Sequence, residues 1–556
     1  MTWFALGLSA VSSADAGPSM CQRLAEQAQR IPAPDWVTAS YDPMDKPGGV
    51  TRRLFLWVSA RVRAMVEPKF PMRSLSGVVA LGLLVLAGCA ERPFEAPVSA
   101  PQTSVVRDKV CDPMAFGARA DGASKDTGAL QAAIDACAAD GGGTVALRRG
   151  VFLSGTIRLR SYVTLRVEAG ATLRGSRDDA DYPLLNPPVV NTQLADTRHA
   201  LVYAESATGV RIEGGGTIDG NADIDKWRGM VRPEGQRPMA IFTALSTDVA
   251  IEGITVRDAA VWAVVNMEVE HLVIRGITVD SPHGPTHDGI DVVDGHDVLI
   301  EDNTINAGDD GICLKSGGTK GLRDVVVRRN HVRGAGVANG LKLGTATVGP
   351  MRNILFEDIR IENAQAAAMA VESVDGGEVS HVSFRRITVS DVGTPVFMLL
   401  GARGPSSVGA IHDIRFEAIR GTRLRYPWGA LLSGAPADAT GRHDLQSITF
   451  DDVDIDWRGA GDAAGPHVFG SAAADTARFP VYAGGYPDAK FIFATPTAKS
   501  EVIDYALPGF AFFVRDARGV RFDRCRAALD GIDHRDAIAT HDAVIEGGCR
   551  REAASR

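Results

Sequence analysis

From about residue 145 onward, short runs of alternating apolar and polar residues return at intervals of about 23 to 34 positions. Each copy has a β-branched run, a polar break and a second such run. The clearest copies fall at 249–256, 272–279, 298–305, 325–332, 354–361 and 382–389, with weaker ones near 411 and 446. A period of two is the mark of a half-buried strand. A repeat of this length marks a solenoid or an array. No amphipathic helix separates the copies, so leucine-rich and helical repeats fit poorly. The pattern predicts an all-β fold, a single-stranded right-handed parallel β-helix, in which each coil buries its inner face only by stacking on its neighbours. Such a stack needs a cover for its first coil. Leu130, Ile134 and Cys137 lie at helical spacing, and the run Gly141, Gly142, Gly143 follows them. They predict a capping helix over the N-terminal end.

The N-terminal region reads differently. Met72 and Arg73 precede an apolar run over 78–87 and then Gly88 and Cys89. A short positive region, an apolar core and small residues before a cut make a signal peptide. The run is short for a membrane span. The ending Leu86, Ala87, Gly88, Cys89 resembles a bacterial lipoprotein box, which implies cleavage before Cys89 and lipidation of its thiol. The lack of aspartate at Ala90 and Glu91 points to the outer membrane, facing periplasm or surface. The expected organisation is therefore a mis-called upstream extension over 1–71, a signal peptide over 72–88, a tether over 89–108 and one catalytic domain over 109–550. An oxidising periplasm would allow Cys111 to pair with Cys137 and Cys525 with Cys549, leaving Cys313 free. The net charge of −9 is spread along the chain. It leaves no basic footprint for nucleic acid. A monomer, touching a membrane only through its lipid, is expected.

The chemistry concentrates in two motifs. Asp288 lies in a run from Thr286 to Asp291, and Asp309 and Asp310 lie between Gly308 and Gly311. Asp288 and Asp310 are 22 residues apart, about one coil. That spacing stacks three carboxylates on one ridge. Carboxylates held together raise one another's pKa, so one can stay protonated beside ionised neighbours. Acid/base hydrolysis of a glycosidic bond requires that division.

These motifs, the entry segment over 112–122, the segment 163–173 and the coil repeat resemble glycoside hydrolase family 28, the polygalacturonases and rhamnogalacturonan hydrolases. The resemblance spans about 111–400. It implies Asp309 as the general acid and Asp288 with Asp310 as the pair that holds and deprotonates water, with inversion of the anomeric centre. No cofactor and no metal are implied, and His283 and His287 lie in a loop where their spacing does not define a metal site. His287 is expected to contact substrate.

The departures are informative. The family's first motif usually begins Asn-Thr-Asp, and here it reads Thr286, His287, Asp288. Asn339 stands where polygalacturonases carry a histidine. The coil with the family's paired cations reads Ala368, Met369, Ala370, Val371, Glu372. Strand parity predicts an outward ladder of Asp291, Cys313, Lys342 and Glu372. Lys342 is then the main cation near the site, partly neutralised by Glu372, with Lys315 as a second candidate. Asp291 is either structural or a substrate contact. Arg403 and Trp428 sit where long loops could wall the cleft, and longer loops in later coils favour cleavage at a chain end. The expected activity is hydrolysis of a pectin-like acidic polysaccharide or oligosaccharide of plant or algal origin. A lyase or epimerase on the same fold, and a non-catalytic glycan-binding β-helix, are the alternatives.

Overall fold

The computed structural model describes residues 108–222, 235–283, 286–334, 339–403, 407–461, 467–468 and 505–554. The expected upstream extension, signal peptide, Cys89 and most of the tether lie outside the described residues. So does the segment 469–504, which carries the aromatic run near Tyr486.

The repeated phrase folds as two strands set at a bend. One parallel stack runs through Thr247–Glu252, Glu270–Arg275, His296–Glu301 and Leu322–Arg328. A second runs through Thr255–Arg257, Thr278–Ser281, Thr304–Ala307 and His331–Gly334. The polar break between them is a column of left-handed backbone: Gly253 and Gly276, then Asp302 and Arg329. From Met351–Glu362 onward the two strands join into one bent strand per coil. A third stack closes each coil. It includes Val264–Met267, Ile290–Val293, Ile312–Ser316, Leu341–Thr347, Ala367–Ser373, Thr394–Leu400 and Ala430–Ser433. The described strands make a parallel β-helix with three faces.

The core is continuous along the axis because like side chains stack rung on rung. Phe356, Phe384, Phe416 and Phe450 stack with ring centroids 4.7, 4.9 and 4.7 Å apart. At a bend, Asn303 donates to the Asn330 side chain at 2.9 Å and to the Ile274 carbonyl at 3.1 Å, which satisfies polar groups buried in the turn. The helix Thr127–Ala139 buries Leu130, Ala133, Ile134 and Cys137 against the first coil, as its spacing predicts. Disulfides Cys111–Cys137 and Cys525–Cys549 tie the two ends, and Cys313 is a buried free thiol.

Outside the core, one column of the first stack alternates in charge over seven rungs. Glu252, Arg275, Glu301, Arg328, Glu357, Arg385 and Glu417 are register partners in turn. Arg275 and Arg328 reach Glu301 at 2.6 and 2.7 Å, and Arg385 reaches Glu357 at 2.7 Å.

Candidate active site

Three tetrapeptides of one pattern build the site on the third face. They are Asp288 to Asp291, Asp310 to Cys313 and Asn339 to Lys342; each has Asp or Asn, then Gly, then Ile or Leu. Ile290, Ile312 and Leu341 are register partners, so the tetrapeptides stack directly. The glycines are needed for close approach. A Cβ on Gly311 would lie 2.3 Å from Val332 and 2.7 Å from the Gly340 carbonyl oxygen, and one on Gly289 would lie 2.5 Å from Ile305. The corner therefore folds tightly, bringing the residue before each glycine into one column.

That column reads Trp262, Asp288, Asp310, Asn339, each two positions ahead of a register-matched strand residue. Asp309 joins it from the adjoining turn: its N–H donates to the His287 carbonyl at 3.2 Å, and its Oδ2 accepts from the Thr286 N–H at 2.9 Å. Carboxylate oxygens of Asp288, Asp309 and Asp310 lie within 4.8 Å of one another, and all three residues are buried. The predicted trio is assembled.

Two ammonium groups serve this cluster. Lys315 Nζ donates to Asp288 Oδ2 at 2.8 Å and to Asp291 Oδ1, and lies 3.6 Å from the centroid of the Trp262 ring. Ring and ammonium make a cation–π contact out of water, where such contacts are strongest. Lys342 Nζ lies 3.2 Å from Asp310 Oδ2 and 3.8 Å from Glu372 Oε2. Asp310 also accepts from Asn339 Nδ2 at 2.7 Å, with the Cys313 thiol at 3.7 Å. Asn339 is fixed in turn by the Ala367 N–H at 3.1 Å.

Burial is the largest influence on the Asp288 carboxyl and raises its pKa. Lys315 pulls the other way without overcoming it, and Asp291 and Asp310 add to the rise. Asp291 is raised for the same leading reason. Burial opposes the charge on Lys315, yet its two carboxylates outweigh that and hold it protonated, well above its usual range. Burial also lowers His287 to about 4, so its ring is neutral. Its Nε2 meets the Ala260 carbonyl at 3.1 Å, and Nδ1 has no hydrogen-bond partner. Oxygens of Asp288 and Asp291 and the sulfur of Cys313 also lie within 4.8 Å of one another. This group and the carboxylate trio are the clusters among the described residues close enough to share a cation. Lys315 already bridges two members of the former.

The ladder expected from strand parity needs one correction. The outward register partner of Lys342 is Ala370, not Glu372, which pairs instead with Leu399. Ala370 carries only a methyl group, so the lysine can lean past it to Glu372. Arg403 lies at the rim, bidentate to Asp375 at 2.7 and 3.0 Å. Trp428 packs into an apolar cluster, stacked on Tyr426 at 4.0 Å.

Two residues escaped the sequence reading. Trp262 was readable from register, since it precedes Val264 by the same two positions that separate Asp288 from Ile290. Asp294 had no comparable signal. Its carboxylate accepts from Ser316 at 2.7 Å, from the N–H groups of Gly317, Gly318 and Gly321, and from Asn191 at 2.8 Å. It fixes the turn just beyond Lys315.

A compact carboxylate trio on a parallel β-helix, with a lysine beside each of two of its members, suits acid/base hydrolysis of a glycosidic bond. The chain belongs to glycosyl hydrolases family 28, whose model matches residues 141–460. It is 26% identical over 348 residues to a Vitis vinifera protein described as "Probable polygalacturonase", covering 58% of this chain and 70% of that protein. It is 27% identical over 262 residues to the exo-poly-alpha-D-galacturonosidase of Dickeya chrysanthemi, covering 39% of this chain and 43% of that protein. The family 28 exopolygalacturonase of Yersinia enterocolitica superposes with a TM-score of 0.60 at 16% identity, over 81% of this chain and 79% of its own.

Proposed function

We propose that this glycoside hydrolase cleaves pectin-like acidic polysaccharides or oligosaccharides, with Asp309 as general acid and Asp288 and Asp310 as the carboxylates that hold and activate water. The stacking of Asp288 on Asp310 one rung apart, with Asp309 within 4.8 Å, carries this reading. Each of the two water-holding carboxylates has an ammonium at 2.8 or 3.2 Å, which favours its ionised form. A bent water donating to two carboxylates sets their oxygens roughly 4.5 Å apart, somewhat less than twice an ordinary hydrogen-bond length, which suits this cluster. Lys315 acts through Asp288 and Asp291, while Lys342, His287 and Asn339 border the place a sugar would take.

The family resemblance gives inversion. Inverting carboxyl pairs usually stand about 6.5–9.5 Å apart and retaining pairs about 5–5.5 Å, so the short oxygen distances here make the stereochemistry worth measuring. Proton NMR of the first-formed sugar decides it: the opposite anomer is expected, and a retained anomer would assign one aspartate as a nucleophile. Release of reducing ends from a panel of pectic polysaccharides tests the activity itself. A lyase would instead give an unsaturated, ultraviolet-absorbing product and needs a base; Lys315, locked protonated, is unsuited to that task. We also propose export and lipid attachment at Cys89. The two disulfides fit an oxidising compartment. Loss of fatty-acid labelling in Cys89→Ser is the expected result.

A further inference from the structure

One column of outward positions on the third face runs on from Arg158 through ten further rungs. Beyond Arg158 it begins with Tyr203, Phe242, Val265. It continues Asp291, Cys313, Lys342. It then reads Ala370, Phe397, Leu431, Phe513. The polar interval is three rungs long, with an apolar stretch on either side along the solenoid axis.

Both apolar stretches are covered. Upstream, Leu185 and Leu194 pack with Tyr203, Phe242 and Val265 in one buried cluster. They belong to a strap that leaves the wall beside Arg198, where the Leu185 N–H donates to the Arg198 carbonyl at 2.7 Å. The strap is pinned again beside Gly317. There the Thr192 N–H donates to the Gly317 carbonyl at 3.0 Å, and Asn191 donates to Asp294 at 2.8 Å. Between these pins it crosses four rung steps, about 19 Å. Downstream, Phe397, Leu431 and Phe513 form a second buried cluster with Trp428 and Leu507. The strap and the Trp428 cluster occupy the outward face on either side of the polar interval, so a chain lying along the axis would run into one or the other.

Given the hydrolase reading above, we infer that the carboxylate cluster sits in a pocket bounded at both ends by apolar packing, and that it accepts the terminus of a glycan chain rather than its interior. The pocket holds a few sugar rings. The strap sets the upstream limit, and the Trp428 cluster sets the downstream one.

The test is the length of the products. The full chain is incubated with polygalacturonate and, separately, with rhamnogalacturonan backbone, and reducing ends, viscosity and product sizes are followed together. The expected result is mono- or disaccharide from the first time points, with viscosity nearly constant while reducing ends accumulate. Oligomers of intermediate length at early times, with a steep loss of viscosity, would overturn the pocket while leaving the hydrolase reading intact. No reducing ends from either polymer or from their oligosaccharides would overturn the hydrolase reading, and the pocket with it. Replacing Asn191→Ala together with Thr192→Pro removes both side-chain and backbone hydrogen bonds of the pin beside Gly317 and touches no group of the cluster. Proline is tolerated there, at the start of the short helix Thr192–Asp196. Intermediate oligomers should rise several-fold in this variant. Unchanged product lengths from a folded variant would remove the strap as a wall and end the proposal.

Discussion

Two columns of charge run along the same solenoid, and they behave oppositely. On the first face, glutamates and arginines alternate over seven rungs with their arginines half in water. Burial tends to raise Glu301, but Arg328, Arg275 and Arg329 outweigh it and bring its pKa below the usual value. On the third face, Asp288 has its lysine at 2.8 Å, yet burial and two further carboxylates leave its pKa above the usual value. Both columns are spaced by the same backbone ladder. The balance of cations to carboxylates and the access of water differ, and they decide whether a column is a solvated support or a place where protons move.

The largest test of that contrast is chemical. Asp309→Asn should lower turnover by about 10²–10⁴-fold, the usual worth of a positioned proton donor. Asp302→Asn, on the exposed side, should leave turnover unchanged. Equal losses in the two variants would erase the distinction.

Lys315→Met comes next. Removing one partner from a buried ion pair costs about 3–5 kcal/mol, readable as a lower denaturation midpoint. Lys315 lowers the Asp288 pKa, so its loss raises that pKa further. In the proposed role Asp288 acts ionised, so the acidic limb of the kcat/KM profile should move to higher pH. Lys315→Arg keeps the charge and should restore much of that limb. A variant with an unmoved acidic limb would show that the lysine is only structural.

Gly311→Ala places a methyl 2.3 Å from Val332, and overpacking of this kind typically costs about 1–3 kcal/mol. The loss should appear in both stability and turnover, because the corner that carries Asp310 must shift. Lys342→Ala should raise KM strongly if that lysine grips an acidic sugar, and an unchanged KM would discard the contact. The smallest effect is expected from Arg275→Ala, about 1 kcal/mol, since its guanidinium is half in water and Arg328 and Arg329 still hold Glu301. High salt should shrink it further, whereas the Lys315→Met effect should persist in salt.

Much of this was readable in the sequence because it rests on periodicity. Alternating strands, the coil interval and the capping helix are local patterns, and so are the three aspartates one coil apart. Parity gave Lys342 its outward place near the carboxylates, although it misplaced Glu372 by one outward position. The strap over 183–196 and the Asp294 turn were not readable. Asn191 meets Asp294 across 103 residues with no repeat to announce it. The alternating ladder was present in the sequence but needed the register to reveal it.

The glycine corner has a consequence for how such a site can vary. Because Gly289, Gly311 and Gly340 press backbone against neighbouring walls, the separation of the chemical groups is inherited from the pitch of the sheet. Exchanging the residue ahead of a glycine changes what that rung offers to a sugar, as Asn339 does beside Asp310. It leaves the ruler on which those offerings are marked untouched, so new specificities can be written rung by rung on an unmoved frame.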